Sequence, residues 1–306
     1  MHASTLLLAI LPSLATAHMA MWHPSVLDFN GDGYTAVTPL SGKSFSQWWF
    51  HGMASASMPS EVFSLPVGKS VTVEASCNKD FTSWGSQGDG QNACPDDTPS
   101  LHAGTPVEAG QLLGCGLAIA YKSKFTDVKP EDFAVFSVNH QCVKQLKTTF
   151  DVPKVMPKCP DGGCICAWFW QGQSSADEMY MTGFRCNISG GSSTASISSP
   201  KAPKYCPSGG CVSGPKQPMY WANDNSNIAY SGDYYQKPSY NAKWGFANGA
   251  QNDIVSVGKG SPTASTTLAT VTRKPSVTNT SKFAIPTKVV DNCTWKDHCA
   301  GATCVC

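Results

Sequence analysis

The chain has 306 residues, with 22 Lys+Arg against 21 Asp+Glu, so its formal net charge is close to zero. That balance, without any basic run, excludes the electrostatic footprint of a nucleic-acid-binding protein. Only 14% of residues are charged, while Gly, Pro, Cys and Trp are plentiful, a composition suited to an extracellular, loop-rich β domain rather than a cytosolic helical one.

In chain order, residues 6–14 form an apolar run too short to span a bilayer, and Ala15-Thr16-Ala17 places small residues ahead of a cleavage site. Residues 1–17 are therefore read as a signal peptide. No second long apolar segment follows, so the expectation is a soluble, secreted protein with no membrane partner. Residues 18–258 read as one globular domain. Within it, residues 70–77 alternate in polarity, residues 114–121 form an apolar run, and residues 133–143 are rich in Val and Phe. Residues 164–171 and 179–188 flank a Gly/Ser-containing turn and read as a hairpin. No segment keeps a helical period over four turns. Short strands separated by turn signals predict an all-β fold, an immunoglobulin- or fibronectin-like antiparallel β-sandwich with long loops.

Residues 259–290 are rich in Ser, Thr and Pro with few large apolar side chains. They cannot bury enough surface to offset ordering entropy and read as a linker. Residues 291–306 hold Cys293, Cys299, Cys304 and Cys306 around Trp295 and read as a small cysteine-rich tail. All 14 cysteines follow the expected leader, which in an oxidising compartment points to disulfides, although no connectivity follows from spacing. Asn187-Ile-Ser189, Asn279-Thr-Ser281 and Asn292-Cys-Thr294 are glycosylation acceptors, consistent with secretion.

The sharpest chemical feature is His18, directly after Ala15-Thr16-Ala17. Cleavage there frees an α-amino group on a histidine, which can chelate a metal through that amine and ring Nδ1. One further imidazole would complete three nitrogens, a set suited to copper. Composition alone favours the reading of His18 as an incidental first residue, since a metal site needs several convergent ligands. His102, in the loop Pro99-Ser-Leu-His-Ala-Gly-Thr105, is the best second ligand and is otherwise an ordinary surface histidine. Tyr180 is the candidate axial group, and Glu178 shares its face if the segment is a strand. A carboxylate there can accept a hydrogen bond or carry a proton; the bland alternative is a core tyrosine and a solvated acid.

Other histidines carry weaker signals. His51 sits in Trp48-Trp-Phe-His51, an aromatic setting that suggests a packed, hydrogen-bonded histidine, and His23-Pro reads as the start of a turn with a possible supporting role at the site. Asp28-Phe-Asn-Gly-Asp-Gly33 mimics half of a calcium loop, but its twelfth position is Pro39, so an Asx-rich turn is favoured. Cys159-Pro-Asp-Gly-Gly-Cys164-Ile-Cys166 could suggest zinc; after a signal peptide, disulfides are the better reading.

Several motifs carry a resemblance. His18-Met-Ala-Met-Trp-His-Pro-Ser-Val26, Phe45-Ser-Gln-Trp-Trp-Phe-His-Gly52, Pro130-Glu-Asp-Phe-Ala-Val-Phe-Ser-Val-Asn139, Gly162-Gly-Cys-Ile-Cys-Ala-Trp-Phe-Trp170, Met179-Tyr-Met-Thr-Gly-Phe184 and Gly249-Ala-Gln-Asn-Asp-Ile254 occur in that order along the whole domain. The chain thereby resembles auxiliary activity family 14 of the lytic polysaccharide monooxygenases. The resemblance implies one copper ion held by His18, His102 and Tyr180, with Glu178 standing where the family pattern has Gln. It further implies oxidative cleavage of plant cell-wall polysaccharide, xylan associated with cellulose, by a monomer that takes electrons from an external donor and uses oxygen or hydrogen peroxide. The rivals are a hydrolase, which would need two carboxylates across a cleft, and a noncatalytic extracellular copper-binding or wall-associated protein on the same scaffold.

Overall fold

The computed structural model describes residues 18–257 apart from 28, 30, 53–56, 87–89, 96–97, 174–177, 231 and 234–235. The expected signal peptide, linker and cysteine-rich tail lie outside the described residues. Eleven strands are described: β1 (Ala20–Trp22), β2 (Phe63–Pro66), β3 (Ser70–Ser76), β4 (Cys115–Ala120), β5 (Ala134–Asn139), β6 (Lys147–Asp151), β7 (Cys164–Trp170), β8 (Tyr180–Ser189), β9 (Ala195–Ile197), β10 (Gly249–Ala250) and β11 (Val255–Val257). Two short helices, α1 (Gly33–Val37) and α2 (Phe45–Trp48), lie in the loops.

The strands form a three-stranded sheet ordered β1-β3-β6, a six-stranded sheet ordered β10-β5-β4-β7-β8-β2 and a two-stranded sheet of β9 and β11. The fold is β-sandwich-like, as expected. The expectation of purely antiparallel pairing is corrected at one edge, where β2 runs parallel to β8, with Phe63 opposite Cys186. The expected hairpin is present as β7 and β8, paired antiparallel from Cys164–Cys186 to Trp170–Tyr180.

The sequence patterns of the strands follow from what lies on each face. β6 alternates because only one face is covered. β4 and β7 are buried at every position. On one face of the six-stranded sheet, Leu117, Ile119, Phe136, Trp168, Trp170, Tyr180 and Phe184 pack with Met21, Val73, Ala75 and Phe150 of the three-stranded sheet. On the other face, Ala118, Val135, Ile165, Ala167, Phe169 and Met181 pack against a second apolar layer that includes Trp48, Phe50, Tyr220, Tyr240 and Trp244. Two covered faces turn an alternating strand into a continuous apolar run.

Five disulfides pin the described residues: Cys77–Cys94, Cys115–Cys142, Cys159–Cys164, Cys166–Cys186 and Cys206–Cys211. The Cys159-to-Cys166 cluster is thus disulfide-bonded rather than zinc-binding. Cys166–Cys186 joins β7 to β8, the two strands that carry Trp170 and Tyr180.

The second apolar layer sits tightly on β8 because Gly183 has no side chain. A β-carbon there would lie 2.5 Å from Phe50 Cε1, well inside van der Waals contact. Gly183→Ala is expected to cost about 1–3 kcal/mol through overpacking, seen as a fall of several degrees in Tm by calorimetry. An unchanged Tm would show that Phe50 yields freely.

Candidate functional site

The start of the domain is threaded along β8. Met21 N–H donates to Thr182 Oγ1 (3.2 Å), Leu27 N–H donates to the Gly183 carbonyl (2.8 Å), and Val26 bridges Phe184. His18, just ahead of β1, lines a cleft of about 620 Å³ with Phe29, Tyr34, Asn78, Asp80 and Ser100 among its walls. Tyr34, on α1, is 66% exposed, and its ring centre lies 5.4 Å from that of His18. Asp32 caps α1 by accepting from Tyr34 N–H (3.0 Å), the role expected of an Asx-rich turn; Asp28 and Asn30 lie outside the described residues.

Ser100 brings a second segment to this cleft. It belongs to the 3-10 turn Thr98–Leu101, and His102 follows two residues later. Leu101 and Ala103 are buried on either side and anchor the turn. His102 itself has φ 48°, in the left-handed region, where a non-glycine residue stays only when its surroundings hold it. Its ring stacks on Trp170 with centres 6.2 Å apart and rests on Gly172, where a β-carbon would come within 2.7 Å of His102 Cδ2.

The His102 side chain is 11% exposed, and its Nε2 lies 3.4 Å from Glu178 Oε2. That nitrogen is buried and makes no aligned hydrogen bond. Glu178 Oε2 also accepts from the Tyr180 hydroxyl (3.0 Å). Burial favours the neutral Glu178 carboxyl, but the His102 ring, the Tyr180 hydroxyl and the Lys237 ammonium outweigh it and hold the group below its usual range. Tyr180 is buried and packs on Trp170 at 4.7 Å. Burial, then the Glu178 charge, push its phenol far above its ordinary value, so it stays neutral.

The structure thus brings His102, Glu178 and Tyr180 into contact and sets His18 on one cleft with Ser100, two residues before His102. Glu178 reaches Tyr180 by a direct hydrogen bond rather than by strand periodicity, since β8 begins only at Tyr180. Residues not singled out for the site complete the setting: Tyr34 beside His18, Trp170 beneath His102 and Tyr180, Gly172 against the His102 ring, and buried Lys237, whose Nζ donates to the Gln173 carbonyl (3.2 Å). Only Trp170 and Gly172 left a trace, as an aromatic run ending in a glycine two residues on.

His51 and His23 lie elsewhere. His23 Nδ1 is 2.8 Å from Ser25 Oγ, and burial lowers its pKa. His51 is the packed histidine its aromatic setting suggests: its ring Nε2 is 2.8 Å from the Met181 carbonyl. Phe50 and His51 both take left-handed φ, 45° and 53°, held by Phe50 under Gly183 and by that contact. Some His51 surface stays accessible, but protein surrounds its ring, and burial pushes the imidazole down from 6.5 to about 4. Above pH 6.5 the group is neutral in both folded and unfolded chains and adds no pH dependence. As pH falls from 6.5 towards 4 the unfolded chain takes up a proton that the folded chain resists, so stability is lost in that window. The contribution is on the order of 2 kcal/mol at pH 4.5. Tm measured at pH 7 and pH 4.5 should therefore fall more for the unsubstituted protein than for His51→Gln. Equal slopes would show that His51 does not couple to protons.

Among the described residues, no group of three or more His, Cys, Asp or Glu gathers as a metal cluster, and no helix is long and apolar enough to cross a membrane. The chain matches the family described as "Lytic polysaccharide monooxygenase AA14" over residues 1–303. It is 39% identical over 273 residues to "AA14 family lytic polysaccharide monooxygenase B" of Pycnoporus cinnabarinus, covering 81% of this chain and 72% of the relative. It is 40% identical to the protein of the same name from Trametes coccinea (strain BRFM310), covering 80% of this chain and 64% of the relative. It is 39% identical to "AA14 family lytic polysaccharide monooxygenase A" of that strain, covering 82% and 64%. With the β-sandwich-like, disulfide-rich fold and a near-complete family match, the chain belongs to family AA14 of the lytic polysaccharide monooxygenases, copper oxidoreductases that cleave polysaccharide oxidatively.

Proposed function

We propose that this protein is secreted, that removal of residues 1–17 frees the His18 amine, and that this amine, the His18 and His102 rings and the Tyr180 hydroxyl would hold one copper ion. The observation that carries this reading is the buried His102 Nε2 without an aligned hydrogen bond, beside Glu178 and Tyr180. A buried nitrogen held only by a long, poorly aligned contact is costly, and binding a metal is one way to satisfy it. Two imidazoles, an amine and a phenol suit copper in both common oxidation states. Bound copper supplies one-electron chemistry towards oxygen or peroxide.

The chain's own residues do the rest. Trp170 and Gly172 lock the His102 ring in place, the Tyr180 hydroxyl donates to Glu178, and Glu178 offers a carboxylate oxygen beside the ligand set. Tyr34, exposed next to His18, offers a ring face for a sugar. The substrate is xylan lying on cellulose, the electrons come from an external donor, and the protein acts as a monomer.

Copper-loaded, correctly processed protein with reductant and peroxide should release oxidised oligosaccharides from xylan-coated cellulose, read by mass spectrometry, and a chelator should stop the release. Oxidised products from bare cellulose alone would overturn the xylan assignment. Glu178→Ala, which leaves no acceptor, should lower turnover roughly 10-fold or more while Glu178→Gln keeps most of it; equal rates for all three proteins would remove Glu178 from the site.

A further inference from the structure

A second cleft, of about 440 Å³, is walled by Pro203, Tyr205, Ile228, Tyr230 and Trp244, with Lys204, Asn227, Ala229 and Gln236 around it. Its rings are fixed from behind. Trp244 Nε1 donates to the Lys237 carbonyl (3.1 Å), Tyr205 packs on Trp244 at 5.7 Å, and Tyr230 meets Trp221 edge-on at 4.8 Å. The Cys206 N–H donated to the Lys243 carbonyl (2.7 Å) ties the Tyr205 wall to the Trp244 turn, and the Cys206–Cys211 disulfide closes the loop that follows Tyr205. The amide of Asn227 is spent on the protein itself, accepting from Tyr220 N–H and donating to Gln217 and Pro218, so it stiffens the cleft. Tyr205 and Tyr230 are half-buried, and Lys204, Ala229 and Gln236 are exposed.

We propose that this cleft is a second glycan-binding site, taking a short stretch of neutral β-linked polysaccharide. The chemistry selects that class. The half-buried rings of Tyr205 and Tyr230, backed by buried Trp244, Pro203 and Ile228, offer apolar surface to the C–H faces of sugar rings. The exposed Lys204 and Gln236 offer hydrogen bonds to hydroxyls, and none of the lining residues is acidic. The walls need no reordering on binding, which lowers the entropic cost. Gln236 immediately precedes buried Lys237, whose Nζ donates to the Gln173 carbonyl (3.2 Å), so this end of the cleft is anchored to the segment that follows β7. The inference rests on the chain acting on polysaccharide and not on which residues bind copper.

Copper-free protein titrated with xylohexaose and with cellohexaose by calorimetry separates the two questions, because no turnover is read. Binding of at least one of them is expected. Tyr205→Leu, which keeps bulk and loses the ring, should weaken it about 10-fold; Tyr205→Phe should retain it. Ala229→Trp, an exposed position that would fill the cleft without disturbing the core, should weaken it comparably and serves if Tyr205→Leu folds poorly. Undiminished binding by Tyr205→Leu and Ala229→Trp, or no binding of either hexasaccharide by unsubstituted protein, would overturn the site.

Discussion

Protein that begins at His18 is expected to bind Cu(II) more than about 100-fold more tightly than the same protein carrying one extra residue before His18, since changes merely around a metal site already cost 10–100-fold. An extra residue converts the His18 amine into an amide, which is no longer a basic nitrogen. It also breaks the chelate in which amine and ring bind together, so the ring must bind without a tethered neighbour. The fold should be unaffected, because β1 begins only at Ala20 and its pairing with Glu74 to Ser76 does not involve the His18 amine. Calorimetric titration of both forms, with matched Tm values in the absence of metal, provides the measurement. Equal affinities would remove His18 from the ligand set and with it the proposed role of the leader.

The second large effect is expected at His102. His102→Ala should abolish tight Cu(II) binding, whereas Tyr180→Phe, which removes a neutral oxygen and no nitrogen, should retain copper and alter its paramagnetic resonance spectrum and activity. A subtler change tests the same nitrogen without deleting it. Gly172→Ala would place a methyl 2.7–2.9 Å from three atoms of the His102 side chain, forcing the ring to move, and should weaken copper binding about 10–100-fold. His51→Gln should leave copper affinity unchanged, because the His51 ring is engaged with the Met181 carbonyl. Full-strength binding by His102→Ala would identify another residue as the ligand, and His51→Gln would then be the first variant to re-examine.

Much of the fold can be read from residue patterns because burial writes itself into the sequence locally. The alternation of residues 70–77 reports a strand covered on one face, and the run at residues 114–121 reports β4, covered on both. Short elements escaped. β1 and β10 have only three and two residues, too few to show any period, and they exist because neighbouring strands accept them. The parallel seat of β2 on β8 is likewise invisible, since strand direction depends on a connection rather than on composition.

The candidate site divides along the same line. The residue types are legible in the chain itself: a histidine directly after Ala15-Thr16-Ala17, a second histidine in a loop, a tyrosine with an acid two residues earlier, and cysteines even in number. These depend on chemistry carried by single residues or by close neighbours in the chain. Only the tertiary structure decided that His102 rests on Trp170 and Gly172, that Glu178 bridges His102 and Tyr180, that Tyr34 stands over His18, and which cysteines pair. The contacts of His102 with Trp170, Gly172 and Glu178 span 68 to 76 residues, and that of Tyr34 with His18 spans 16. Periodicity records that a face is covered, but not which segment covers it, because the partner is set by how the sheets and their loops pack in three dimensions.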